Sequence, residues 1–155
     1  MSQHAYVATS YSNVGSVYQD IGQHNEAEDF LERALIIRKK IFGEENDNVA
    51  TSYNNLGSVY QDLGQHNEAK EYHEKALMIR KMIFREENAN VATSYNNLRG
   101  VYRALRQYNK AKEYHEKALM IKKKIFGEEH DDVATSYNNL GSVYHALRQY
   151  NEAKE

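Results

Sequence analysis

Proline is absent from all 155 residues, so no fixed ring breaks a helix, and the eight glycines stand mostly at equivalent places along the chain. Long helices with glycine punctuation follow from that. Cysteine is also absent, which excludes a disulfide framework and cysteine-ligated zinc, and no Asn-x-Ser/Thr sequence occurs. A reducing, cytoplasmic setting is the expectation. No apolar stretch approaches the roughly 18 residues needed to span a bilayer, and Met1 to Tyr11 lacks the basic-then-apolar order of a secretion signal. Charge of one sign is missing as well: 20 basic and 22 acidic residues leave a net charge of −2, with no global pull toward nucleic acid or an anionic membrane. Neither is expected as a partner.

What the chain does have is repetition. The string ATSYNNL occurs at Ala50 to Leu56, Ala92 to Leu98 and Ala134 to Leu140, with the variant ATSYSNV at Ala8 to Val14, always 42 residues apart. A period of that size marks an array of stacked supersecondary units. Within one unit, Tyr53, Leu56, Val59, Tyr60 and Leu63 recur at steps of three and four, one face of a helix of about four turns. Gly64 offers a left-handed stop. A second helix is expected to be capped by Asn67 and to carry an apolar stripe of Ala69, Tyr72, Ala76, Leu77, Ile79, Ile83 and Phe84. Its outer face reads Glu68, Lys70, Glu71, Glu74, Lys75, Arg80 and Lys81, acids before bases, in the order that complements the helix dipole and lets Glu71 meet Lys75. Asn90 is the expected cap of the following first helix. Gly57, Ala69 and Ala76 are small where two helices must approach closely.

Tyr53, Leu56, Gly57, Tyr60, Ala69 and Ala76 together resemble the tetratricopeptide repeat. The 42-residue step, the pair Asn54-Asn55 and the segment Glu129-His130-Asp131-Asp132-Val133 are similar to the kinesin light chain subclass, shared with nephrocystin-like proteins. The expected fold is therefore all-α, a right-handed α-α superhelix (solenoid) of stacked helix-turn-helix units, a single array over 1–155. Its repeats would be 8–49, 50–91, 92–133 and a partial 134–155. The subclass commonly has proline where Asp47, Ala89 and Asp131 stand, and an aromatic where His73 and His115 stand; the histidines are expected to replace ring packing.

The copies differ most in the third, where Gly57, Ser58, Gln61, Asp62 and Gly64 become Arg99, Gly100, Arg103, Ala104 and Arg106. Unless its aliphatic stem snorkels out, Arg99 should splay the third helix pair. Charge shifts along the array from Asp20 and Asp62 to Arg103, Arg106, His145 and Arg148. The array reads as a slice of a longer protein or a truncated gene product, with Leu140, Tyr144 and Leu147 able to drive self-association through uncapped ends.

Chemistry finds no foothold. His73-Glu74 is not followed by a second histidine one turn on, no Gly-x-x-x-x-Gly-Lys occurs, and His130-Asp131-Asp132 is a lone acidic loop, so no catalytic residue, metal or cofactor is expected. Binding is the better account. The resemblance implies that first helices line a concave surface, and their polar side carries Thr51, Asn54, Asn55, Ser58 and Gln61. An asparagine amide both donates and accepts, so Asn13, Asn55, Asn97 and Asn139, joined by Asn54, Asn96 and Asn138, are candidates for holding the backbone of an extended peptide. Arg103 and His145 would add a preference for acidic side chains. The expected function is a protein-protein interaction scaffold of the cargo-adaptor kind. A sensor arm of a larger enzyme such as an NTPase, and a self-stacking structural module, are the alternatives.

Overall fold

The computed structural model describes residues 3–127 and 131–154, and among them there are seven helices and no strand. The chain forms two compact units, Met1–Ile83 and Phe84–Glu155. In the first, α1 (Gln3–Asp20) pairs with α2 (His24–Phe42) and α3 (Asp47–Asp62) pairs with α4 (His66–Ile83), α3 also packing on α2. In the second, α5 (Ala89–Ala104) pairs with α6 (Tyr108–Phe126), and α7 (Asp131–Lys154) packs on α6.

The turn inside each pair is made by backbone geometry. Gly64 adopts φ +77°, its N–H bonds the Gln61 carbonyl at 3.0 Å, and the Gln65 N–H bonds the Tyr60 carbonyl at 2.8 Å. That two-bond closure satisfies the last carbonyls of α3. It also lets α4 begin at His66, so Asn67 lies within the first turn and is not the cap. The corresponding helix starts at Gln23 and Gln107 make no side-chain cap bond either. Arg106 makes the same turn at φ 61°, a conformation costing a residue with a Cβ about 1–2 kcal/mol. Arg148, at the same register, stays helical within α7.

First helices are capped two residues earlier than expected. The Asn46 side chain accepts from the Asn48 N–H at 2.8 Å, and Asn88 accepts from Asn90 at 2.7 Å. An asparagine can cap only from extended backbone, which Asn46 and Asn88 have and Asn90, already helical, lacks.

Each pair clamps one aromatic ring of the second helix between two of the first. Phe30 lies 5.8 Å from Tyr11 and 5.5 Å from Tyr18; Tyr72 lies 5.9 Å from Tyr53 and 5.2 Å from Tyr60; Tyr114 lies 5.6 Å from Tyr95 and 5.4 Å from Tyr102. Ala27, Ala69 and Ala111 are fully buried beneath them. The constancy of those distances corrects the expectation for the third pair: α5 and α6 do not splay around Arg99. Its half-buried side chain is accommodated at an electrostatic cost instead, with Nε buried and unbonded.

Candidate functional site

On α3 the polar side divides. Asn55, Ser58 and Gln61 are half-exposed, but Asn54 is only 8% exposed. Its Oδ1 sits 2.8 Å from His73 Nδ1, so that ring nitrogen carries the proton and donates. Burial pushes the His73 imidazole down to about 4, and the ring is neutral at physiological pH. Gly57 makes the arrangement possible, because a Cβ there would meet the His73 ring at 2.7 to 2.9 Å. Asn54 thus serves the helix pair, and of the Asn54-Asn55 pair α3 presents only Asn55.

Arg80 departs from the outer face on which periodicity puts it. It is 7% exposed, with Nε donating to Asp47 Oδ1 at 3.0 Å and Nη2 to Thr51 Oγ1 at 3.4 Å. The first turn of α3 is tied to the end of α4 by that arginine. Glu71 and Lys75 do pair on the outer face, at 3.5 Å.

The second unit has the same positions without those ties. Asn96 and Asn97 are half-exposed and, with Ala89, Thr93, Lys122, Ile125 and Phe126, line a cavity of about 310 Å³. Ala89 stands where α3 has Asp47, and Lys122 stands where α4 has Arg80. Lys122 Nζ donates to Ser136 Oγ at 3.4 Å, and no carboxylate lines the cavity.

Beside it, His115 is buried with Nδ1 unbonded. It is pushed down to about 4 by burial first and then by the charges of Arg99, Lys122 and Arg103. Arg99 is itself lowered by burial and by Arg103, which is exposed. Three cations around one neutral ring make this the electropositive part of the second unit. Amides that donate and accept, a hydroxyl and these cations suit a backbone with acidic side chains.

The remaining candidates are more scattered. Asn13 and Asn138 are exposed and Asn139 is half-buried; His145 is exposed, its Nε2 accepting from Gln149 Nε2 at 3.2 Å. Tyr144 Oη donates to Glu116 at 2.8 Å, with Lys112 over its ring. His130 lies outside the described residues. Among the described residues no cluster of three metal-ligating side chains occurs, and no helix is long and apolar enough to cross a membrane.

Sequence reasoning missed one recurring contact. Arg38, nearly buried, donates to the fully buried Ser52 at 2.8 Å, and Lys122 reaches Ser136 in the same register. The signal was present in the serine of every ATSY and the base at 38, 80 and 122, all 42 residues apart.

A family model for the tetratricopeptide repeat matches residues 6–82 and 90–155. Among solved structures, BtubC (BKLC) from P. vanneervenii is similar at 31% identity and a TM-score of 0.86, over 99% of this chain and 61% of that one. A putative kinesin light chain from Podosopora anserina, described as having nearly identical TPR-like repeats, is similar at 29% identity and a TM-score of 0.85, over 99% of this chain and 72% of that one. The Sgt2 TPR domain from Aspergillus fumigatus, 19% identical with a TM-score of 0.68, shares the fold. No curated protein matches the sequence. The fold class is that of an all-α helical-repeat solenoid, with repeats of the kinesin light chain type.

Proposed function

Because the chain belongs to the tetratricopeptide repeat family, a fold of protein-protein interaction scaffolds, we propose that it binds an extended peptide along the polar side of its first helices, with a preference for acidic side chains. The observation that carries this reading is the cavity of about 310 Å³ in the second unit, lined by Asn96, Asn97, Thr93 and Lys122 and free of carboxylates. Asn96 and Asn97 would bond the peptide backbone, while Lys122 and Arg103 would favour aspartate or glutamate. Asn55, Ser58 and Gln61 would serve the same purpose in the first unit, and Asn13, Asn138, Asn139 and His145 on α1 and α7. Asn54 is left out of the binding set because His73 holds it. Cargo-adaptor work in the cytoplasm, with no catalysis, completes the reading.

The test is a peptide-library titration of the wild type against an Asn55/Asn97/Asn139→Ala triple variant. Loss of affinity across all bound sequences supports the reading, and equal affinities overturn it. Arg103→Ala should weaken acidic peptides selectively and flatten their salt dependence.

A further inference from the structure

Single exposed apolar side chains are ordinary on a protein surface. Met78 and Met82 of α4 are not single: they are 66% and 60% exposed and share one cavity of about 290 Å³ with the buried Tyr53 and Ile79. Glu44, Glu45 and Lys75 stand around it. Tyr53 and Asn55 are two residues apart on α3, roughly 200° around the helix. The cavity is therefore separate from the asparagine-bearing side.

A cavity at the identical register occurs in the second unit, built from Tyr95, Met120 and Ile121 with Glu86, Glu87 and Lys117, and there it has shrunk to about 120 Å³. The two linings differ in kind at one position only, Met82 in the first and Lys124 in the second. Lys124 lies along the cavity and pairs with Glu87, while Tyr95 Oη donates to Glu86 at 2.6 Å. The second cavity is filled by a base of the chain's own.

In the first, Glu44 is taken by Lys39 at 2.9 Å and Lys75 by Glu71 at 3.5 Å. Glu45, the counterpart of Glu87, is exposed and has no ion-pair partner among the described residues. What Lys124 supplies from within, the first cavity lacks.

We propose that the Tyr53–Met78–Met82 cavity is a second binding site, and that its occupant is a partner segment carrying an apolar side chain beside a lysine or arginine. The apolar group removes the two methionines and the Tyr53 ring from water, and methionine's flexible thioether adapts to its shape. The base pairs with Glu45 as Lys124 pairs with Glu87. Most of the affinity comes from the anchor and most of the selectivity from the acid.

The chain contains four methionines, so methyl-labelled methionine in the full chain gives a direct readout at Met78, Met82 and Met120. The probe is a synthetic hexapeptide alternating leucine with lysine, with serine-lysine and leucine-glutamate hexapeptides beside it. Saturable shifts of the Met78 and Met82 methyls with the leucine-lysine peptide alone are expected. Glu45→Gln should weaken binding about two- to fivefold, the range of an exposed ion pair. Met82→Lys, which copies the second unit at an exposed position, should weaken it about tenfold. Lys124→Met should open the second cavity and give the Met120 methyl the same response.

An equal response to the serine-lysine peptide would overturn the apolar anchor, and an equal response to the leucine-glutamate peptide would overturn the role of Glu45. No response at either methionine would overturn the site. Shifts that grow with protein concentration alone would assign the surface to a second copy of the chain and overturn a foreign partner.

Discussion

The pair α3/α4 and the pair α5/α6 are built on the same sequence frame, and they differ in how their polar groups are disposed. In the first, Asn54 bonds His73 and Arg80 bonds Asp47 and Thr51. In the second, His115 Nδ1 and Arg99 Nε have no partner, and a cavity with two asparagines opens where the first pair has its arginine tie. Arginine at 99 where the first pair has Gly57 accounts for the unpartnered guanidinium nitrogen, and Ala89 and Lys122 in place of Asp47 and Arg80 account for the missing tie. An arginine beside His115 adds charge to a buried ring and puts a guanidinium nitrogen out of reach of water. Stability and binding capacity are therefore distributed unequally among near-identical copies: the amide that His73 holds in α3/α4 has a half-exposed counterpart, Asn96, in α5/α6.

Writing the third copy's residue into the second should be the most disruptive single change. Gly57→Arg forces atoms into a position where even a Cβ would lie 2.7 Å from His73 Nε2. The expected loss is about 1–3 kcal/mol, the range for overfilling a packed core, and thermal unfolding followed by circular dichroism should fall by several degrees. An unchanged midpoint would show that the His73 ring yields freely and that the glycine is not needed.

The reverse change has the opposite sign and a smaller size. Arg99→Gly removes a buried nitrogen whose lack of a partner costs about 1–3 kcal/mol, while glycine inside a helix costs roughly 0.5–1 kcal/mol. A net gain of about 1 kcal/mol is expected, a rise of a few degrees in the same melt. A fall would mean that the arginine stem packs better than its head is penalised.

The same two positions separate what the sequence makes legible from what it hides. The helix pairs, the glycine turn at Gly64 and the small residues at Gly57, Ala69 and Ala76 were legible because backbone conformation and close approach leave few alternatives to those residue types. The caps were misplaced by two residues, since Asn46, Asn48, Asn88 and Asn90 are the same residue type and only backbone angles tell donor from acceptor. Periodicity alone puts Arg80 and Asn54 at the surface, because it assigns a face to a Cβ and not to the tip of a long or polar side chain. The unsplayed third pair was illegible for a related reason: an arginine can be half-buried without moving the rings that hold the helices together.

Removing the amide at equivalent positions should separate the copies further. Asn54→Ala leaves His73 Nδ1 without its acceptor and should cost about 1 kcal/mol. Asn96→Ala, whose residue makes no such bond to His115, should be close to neutral for folding while weakening peptide binding. Equal destabilisation by the two would show that the Asn54–His73 bond contributes nothing beyond its copy, and would return Asn54 to the set available to a ligand.

The most specific comparison concerns the two buried histidines. Both buried histidines titrate near 4, against an ordinary 6.5. Between those values the unfolded chain therefore binds more protons than the folded one. Stability is fully present above about pH 6.5 and drains away as pH falls toward 4. For His73 burial alone is responsible, whereas His115 is also held down by Arg99, Lys122 and Arg103. Arg99→Gly should then raise the His115 titration toward its ordinary value and leave His73 where it is, as read from imidazole proton shifts across the pH range. If both histidines moved together, the charges around His115 would not be what sets it apart, and the electropositive character assigned to the second unit would lose its main support.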